Sequence, residues 1–376
     1  MDEADVAVVG AGVVGSAIAL ALARRGASVT LLEAEAEPGL AASGTNSGIL
    51  HTGFDSVPGD IETQMILRSA ALRDPLLAEL GVPRARCGGV VRALRRGQRA
   101  EVSALARNAQ ANGVEAELRE DGSLRVPGES VTDPVAFTLA LAGAAQRHGA
   151  ELRTGFGVGS LRSRGGRMEL AASDGARLDS RLVVNCAGLE ADRVARMAGD
   201  DSFEVYARKG EFIVLEPPDG ARLESILLPT PAKRTKGVLV FPTLDGKVVA
   251  GPTAIDQEDK GDWSVRPEAA GEILPQASAM WEPLGAAHPI AAYAGLRPAG
   301  RGVNYLIGRS RASRSLVNVA AIRSTGLTAS LGIAERVCAI VGELGLELEP
   351  EQPLRGGPPP APRVPWWRRS AEYRGL

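Results

Sequence analysis

The first residues whose spacing suits chemistry are glycines: Gly10, Gly12 and Gly15 stand in the run G-A-G-V-V-G, with Val14 between the last two. A dinucleotide requires a tight turn at the first glycine, close approach of backbone to its pyrophosphate at the second, and close helix–strand packing at the third. Val6 to Val9 form an apolar run suited to a parallel strand buried on both faces, and Val13 to Arg24 carry an apolar helical pattern. The helix N-terminus, with its unpaired N–H groups, then faces the phosphates. A second strand from Ser28 to Leu32 ends at Glu33. About 20 positions past the glycines, an acid hydrogen-bonds a ribose hydroxyl and disfavours a 2′-phosphate. This unit points to a dinucleotide and leaves NAD and FAD both open.

Acid–base and anion chemistry need other groups. Of three histidines, His148 ends a helical pattern before Gly149 and His288 precedes Pro289, so both suit a cap or the surface. His51 lies instead in a polar, glycine-rich segment, AEAEPGLAASGTNSGILHTG, too irregular for another helix of a plain NAD fold. All five lysines (Lys209, Lys233, Lys236, Lys247, Lys260) fall in one stretch, while every other basic residue is arginine. A compact ammonium with three donors suits a phosphate, and Lys236 is the strongest candidate, with Lys247 and Lys260 expected on solvated loop tips. Arg297, in Y-A-G-L-R-P, offers a planar fork for a carboxylate or phosphate. Cys87, Cys186 and Cys338 are odd in number and far apart, which argues against disulfides, a zinc site or a cysteine-ligated cluster and fits a reducing cytoplasm.

The elements that position these groups are bounded by composition. With 376 residues and 44% hydrophobic content, the chain can bury a large core in about two domains. A net charge of −2 supplies no basic field for nucleic acid, so any anion is recognised locally. Glycines interrupt the apolar run from Val6 to Ala23, which makes it strand, turn and helix rather than a membrane span. Helical pattern returns at Pro134 to His148, stopped by Gly149, and is followed by strands around 151–162, 167–172 and 182–185. From Glu204 to Ala250 the chain is rich in alternating strands. Leu327, Leu331, Ala334, Cys338 and Val341 recur at helical spacing behind Ser324 and Thr325 as N-caps. The proline-rich tail from Glu349 reads as a linker or surface strap, and its Trp366-Trp367-Arg368-Arg369 could instead dip into a membrane interface.

Three motifs resemble, in order, the D-amino-acid-oxidase superfamily of FAD-dependent oxidoreductases: the segment holding Ser43, Asn46, Ser47, Gly48 and His51, the strand R-L-V-V-N-C-A-G ending at Ala187 and Gly188, and I-R-S-T-G-L-T-A-S from Ile322 to Ser330. The resemblance implies an α/β, Rossmann-like FAD-binding domain of the glutathione-reductase type, discontinuous over 1–80, 133–200 and 294–345. A second α+β substrate domain on a mainly antiparallel sheet would occupy 81–132 and 201–293, with a tail over 346–376. It also implies FAD contacts from the glycine turn, Val14 and Glu33, from the second motif's residues and Val158, and from Arg323, Thr325, Gly326 and Leu327. The runs R-K-G-E-F, T-K-G-V-L-V-F-P-T, G-P-T-A and S-T-G-L-T look more closely like the FAD-linked glycerol-3-phosphate dehydrogenase/oxidase group. That likeness implies His51 as base, Lys236 and Arg297 on the phosphate or hydroxyl, and Ser324 as a further ligand. The implied reaction is hydride transfer from sn-glycerol 3-phosphate to flavin N5, giving dihydroxyacetone phosphate, with oxygen or quinone as acceptor. The L-2-hydroxyglutarate group shares K-G-E-(F/Y) and N-S-G-x-(I/L)-H, while an amine oxidase would hold a carboxylate on Arg297. Larger relatives continue into a cysteine-rich domain absent from these residues, which leaves open a flavoprotein subunit that passes electrons to a partner. The expected location is the cytoplasm, with peripheral membrane contact through the tail as the alternative to a strap docked on the protein's own surface.

Overall fold

The computed structural model describes residues 2–230, 237–357 and 364–373. Asp2–Val9 is the central strand of an eight-stranded sheet, parallel to Val29–Leu32 on one side and to Arg177–Asn185 on the other. Its alternation decides the layers. Val6 and Val8 pack with the helices Val13–Ala23, Pro134–Arg147 and Gly326–Glu343 on one face. Ala7 and Val9 pack on the other with Leu161, Met168 and Leu170 of the antiparallel strands Val158–Arg164 and Arg167–Ala172. Both faces of the central strand are therefore covered, and all four of these residues are buried.

A nine-stranded, mainly antiparallel sheet forms the second half, with one parallel pair between Gly89–Arg92 and Ile226–Pro229. Its longest pairing joins Val205–Glu216 to His288–Gly300. The expected boundary between 293 and 294 falls inside this last strand, which stays paired up to Gly300. Continuous pairing with Val205–Glu216 keeps the strand in one sheet across that position. A small third sheet joins Ile49–Leu50 to Ser130–Thr132 and Arg84–Ala85, so the segment expected to start the substrate domain is stitched to the flavin-side segment.

The tail is a strap docked on the protein rather than the membrane-dipping alternative. Trp366–Tyr373 is a helix, and both tryptophans are buried against the protein, Trp366 standing edge-on to Tyr293 at 5.5 Å and Trp367 donating to Asp245 at 3.1 Å. The indoles find an apolar seat and a polar partner inside the molecule, which leaves neither for a bilayer. Among the described residues no helix is long and apolar enough to cross a membrane, and no cluster of ligands could hold a metal ion.

Candidate active site and cofactor cavity

Two cavities adjoin where the sheets meet, sharing Ala42, Asn46 and Arg323 in their walls. The larger, about 460 Å³, starts at the glycine turn. Gly10 has φ +99°, and a Cβ there would lie 2.5 Å from the Cys186 carbonyl oxygen. At Gly15 a Cβ would lie 1.9 Å from the Gly10 oxygen, so strand and helix meet only because both residues lack side chains. Ser43 Oγ accepts from the Val13 N–H at 2.9 Å, at the start of the helix. Glu33 braces the turn itself: its two oxygens accept from Ala11 N at 2.8 Å and Glu35 N at 3.0 Å. Burial raises its pKa despite those bonds.

Val14, Val158, Ala187 and Gly188 also line this cavity, as do Arg323, Gly326 and Leu327 at its far end. Two helix N-termini therefore open into one space, near Val13 and near Gly326. Two helix N-termini in one space suit the negative charge of a dinucleotide's phosphates. Cys186 is part of the wall, and burial pushes its thiol far above its ordinary value, so it serves as a neutral packing group. Gly48 lines neither cavity; at φ +73° it shapes the turn, donating its N–H to Asn46 Oδ1 at 3.0 Å.

The smaller cavity, about 360 Å³, holds His51, Ser47, Ser324 and Thr325 against an apolar wall that includes Phe212, Leu239 and Phe241. Among the described residues its charged walls are Arg208, Arg297 and Arg323 against one carboxylate, Glu62. Arg297 does not point its whole fork outward as expected. Its Nε donates to Arg208 O at 3.1 Å and its Nη2 to Lys209 O at 3.0 Å and Thr253 O at 2.7 Å. These carbonyls fix the guanidinium plane, and Gly210 makes room for it, since a Cβ there would lie 2.3 Å from Nη2. Among the described residues no carboxylate pairs with Arg297. Burial, then the neighbouring Arg208, push its pKa down to about 10, which still leaves it a cation at neutral pH.

Thr325 is not a capping side chain either. Its Oγ1 meets Glu62 and Tyr305 Oη, both at 2.7 Å, because Glu62 gathers donors from Thr325, Asn304 and Arg323. Burial alone would raise the Glu62 pKa, but these bonds outweigh it and lower it. Ser324 gives its carbonyl to Asn46 Nδ2 at 3.1 Å. His51 Nδ1 lies 2.8 Å from Glu129 Oε2, and its carbonyl accepts from Arg73 Nη1 at 3.0 Å.

Lys236 and Lys233 lie outside the described residues, although Gly237 lines the smaller cavity. The other lysines make ion pairs: buried Lys209 with Asp262 at 2.6 Å, Lys247 with Glu216 at 2.5 Å and Lys260 with Asp192 at 2.8 Å. Lys247 and Lys260 are thus tethered rather than solvated. Sequence reasoning missed Glu62 and Glu129. A signal existed for Glu129, an acid directly before the strand-forming run Ser130-Val131-Thr132. None existed for Glu62, whose partners lie more than 240 residues away.

Comparison with known proteins decides the family: the model for FAD-dependent oxidoreductases matches residues 5–340. This chain belongs to that family. It is 29% identical to a glycerol 3-phosphate dehydrogenase of Caloramator mitchellensis over 93% of this chain and 76% of that protein. It is 27% identical to a glycerol 3-phosphate oxidase of Mycoplasma pneumoniae over 91% of this chain and 95% of that one. An L-2-hydroxyglutarate dehydrogenase of Escherichia coli is 27% identical over 67% of this chain and 64% of its own length. Among solved structures, the dithionite-reduced L-α-glycerophosphate oxidase from Mycoplasma pneumoniae with FAD bound superposes with a TM-score of 0.88 at 25% identity, covering 97% of this chain and 100% of that one. The oxidoreductase is FAD-dependent, and it shares its fold with a glycerophosphate oxidase and counts glycerol-3-phosphate dehydrogenases and oxidases among its relatives.

Proposed function

We propose that this oxidoreductase oxidises a small anionic 2-hydroxy compound, with sn-glycerol 3-phosphate preferred to L-2-hydroxyglutarate. The observation that carries the reading is Arg297, a guanidinium held by three carbonyl bonds, without a carboxylate partner among the described residues, in the same cavity as His51. An anionic substrate would supply the missing counter-charge. The names of two relatives, a glycerol 3-phosphate dehydrogenase and a glycerol 3-phosphate oxidase, support the choice of substrate.

FAD, when bound in the larger cavity, supplies the two-electron hydride acceptor. Arg297 orients the substrate's anionic group, with Lys236 and Ser324 assigned as further ligands. His51 accepts the hydroxyl proton as the carbon-bound hydrogen leaves with its electron pair, so the C–O single bond becomes a carbonyl. The apolar wall of Phe212, Leu239 and Phe241 keeps water from competing for that proton. Oxygen or a quinone then takes the two electrons, in the cytoplasm.

Anaerobic titration of the yellow protein with sn-glycerol 3-phosphate, L-2-hydroxyglutarate and sarcosine in turn tests this reading. Bleaching of the oxidised flavin band by glycerol 3-phosphate alone is expected. Bleaching only by sarcosine would replace the alcohol with an amine, and no bleaching by any compound would shift the weight to a subunit that needs an electron-transfer partner.

A further inference from the structure

The small sheet that stitches the two halves together brings an unassigned acid to the site. Ile49 pairs with Val131 and Leu50 with Ser130 in antiparallel register, so the next residues along the two strands, His51 and Glu129, stand opposite each other. Their side chains meet, Nδ1 to Oε2, at 2.8 Å. Glu129 is wholly buried, and its other oxygen accepts from Thr52 N at 2.7 Å and Thr52 Oγ1 at 2.9 Å. The buried Arg73, which holds the His51 carbonyl, supplies compensating positive charge nearby. A buried carboxylate kept in this way is costly unless every lone pair is used.

From this geometry we infer that Glu129 is a positioning residue: it fixes His51 as the Nδ1–H tautomer and so leaves Nε2 unprotonated to take the substrate proton. The inference rests on the reading of His51 as base. Facing an acceptor-only carboxylate, Nδ1 must be the donor, and in the neutral ring the other nitrogen is then the acceptor. Nε2 makes no hydrogen bond to the protein among the described residues, while the ring lines the smaller cavity.

The Glu129→Gln variant makes the prediction sharp. Thr52 N can only donate, so the amide oxygen of the introduced glutamine must face Thr52 and its NH₂ must face His51. That NH₂ donates to Nδ1, forces the proton onto Nε2 and blocks the base. Because the chain has three histidines, ¹⁵N-histidine NMR of the FAD-loaded protein resolves the ring, with His51→Asn identifying its signals. We expect the Nδ1–H tautomer for His51 in the unmodified protein and the Nε2–H tautomer in E129Q. The variant's kcat should fall roughly a hundredfold or more with KM little changed. Glu129→Asp, which keeps an acceptor-only partner, should retain the native tautomer and more of the rate than E129Q. An Nε2–H ring in the unmodified protein overturns the inference, as does an unchanged tautomer or rate in E129Q. Should E129Q not fold, the unmodified spectrum and E129D decide alone. Should none of the substrates bleach the flavin, the substrate reading falls while the tautomer still decides the role of Glu129.

Discussion

At the scale of single residues, the proposed reaction gives His51 and Arg297 separable duties, so their removal should register in different kinetic constants. His51→Asn removes the proton acceptor and leaves the cofactor cavity intact. We expect the rate of anaerobic flavin reduction to fall about 10²- to 10⁴-fold, with flavin content unchanged. Arg297→Met removes a charge-assisted contact worth about 1.5–3 kcal/mol, which is about ten- to a hundredfold in KM, with a smaller change in kcat. The same arginine sets an alkaline limit. Burial holds its pKa down at about 10, so the cation is present at neutral pH and is lost as pH rises through that value. KM for an anionic substrate should therefore stay flat between about pH 7 and 9 and climb above about 10. A pH series of steady-state KM values checks this, and an unchanged KM above that limit would remove Arg297 from anion binding.

At the scale of elements, the glycine turn is the most constrained junction in the molecule. A methyl at Gly15 would be driven into the Gly10 carbonyl, so Gly15→Ala must push the helix Val13–Ala23 away from the central strand. The expected outcome is a folded protein purified with little FAD, read as the ratio of visible flavin absorbance to protein absorbance. A normal flavin load would show that the helix need not sit so close. This unit was legible because its evidence is local: expected as Val13 to Arg24 and Ser28 to Leu32, the elements run Val13–Ala23 and Val29–Leu32. Likewise the helix expected at 134–148 spans Pro134–Arg147, started by Asp133, whose carboxylate accepts from Val135 N and Ala136 N. What was hidden depends on contacts between distant segments. Thr325 had the residue type and position of an N-cap, but its hydroxyl goes to Glu62, 263 positions away. The strand His288–Gly300 could not be kept whole from sequence, because only its pairing with Val205–Glu216 shows that it continues past Tyr293.

At the scale of the whole molecule, the C-terminal segment ties the two halves together. Its first part lies along the helix ends, where Glu351 pairs with Arg24 and Arg25 and the Arg355 N–H donates to His148 Nε2. Its helix then bridges the loop over residues 35–44 and the nine-stranded sheet. On the loop side, Ser370 Oγ donates to Gly44 O at 2.6 Å, Arg369 pairs with Glu37 and Tyr373 Oη donates to Glu35 at 2.7 Å. On the sheet side, Trp366 meets Tyr293, which stacks at 4.9 Å on Phe212 in the wall of the smaller cavity. Trp366→Ala removes a buried indole from this joint, at a cost of about 3–5 kcal/mol. Because Glu35 lines the cofactor cavity, the loss should reach the cofactor, and flavin should be released at a lower denaturant concentration than in the unmodified protein. Vesicles of anionic lipid give the opposing test. If the tryptophans belong to the protein's own core, sedimentation with vesicles should be as low for the unmodified protein as for the variant. Retention by the unmodified protein alone, with no change in stability on substitution, would return these side chains to the membrane.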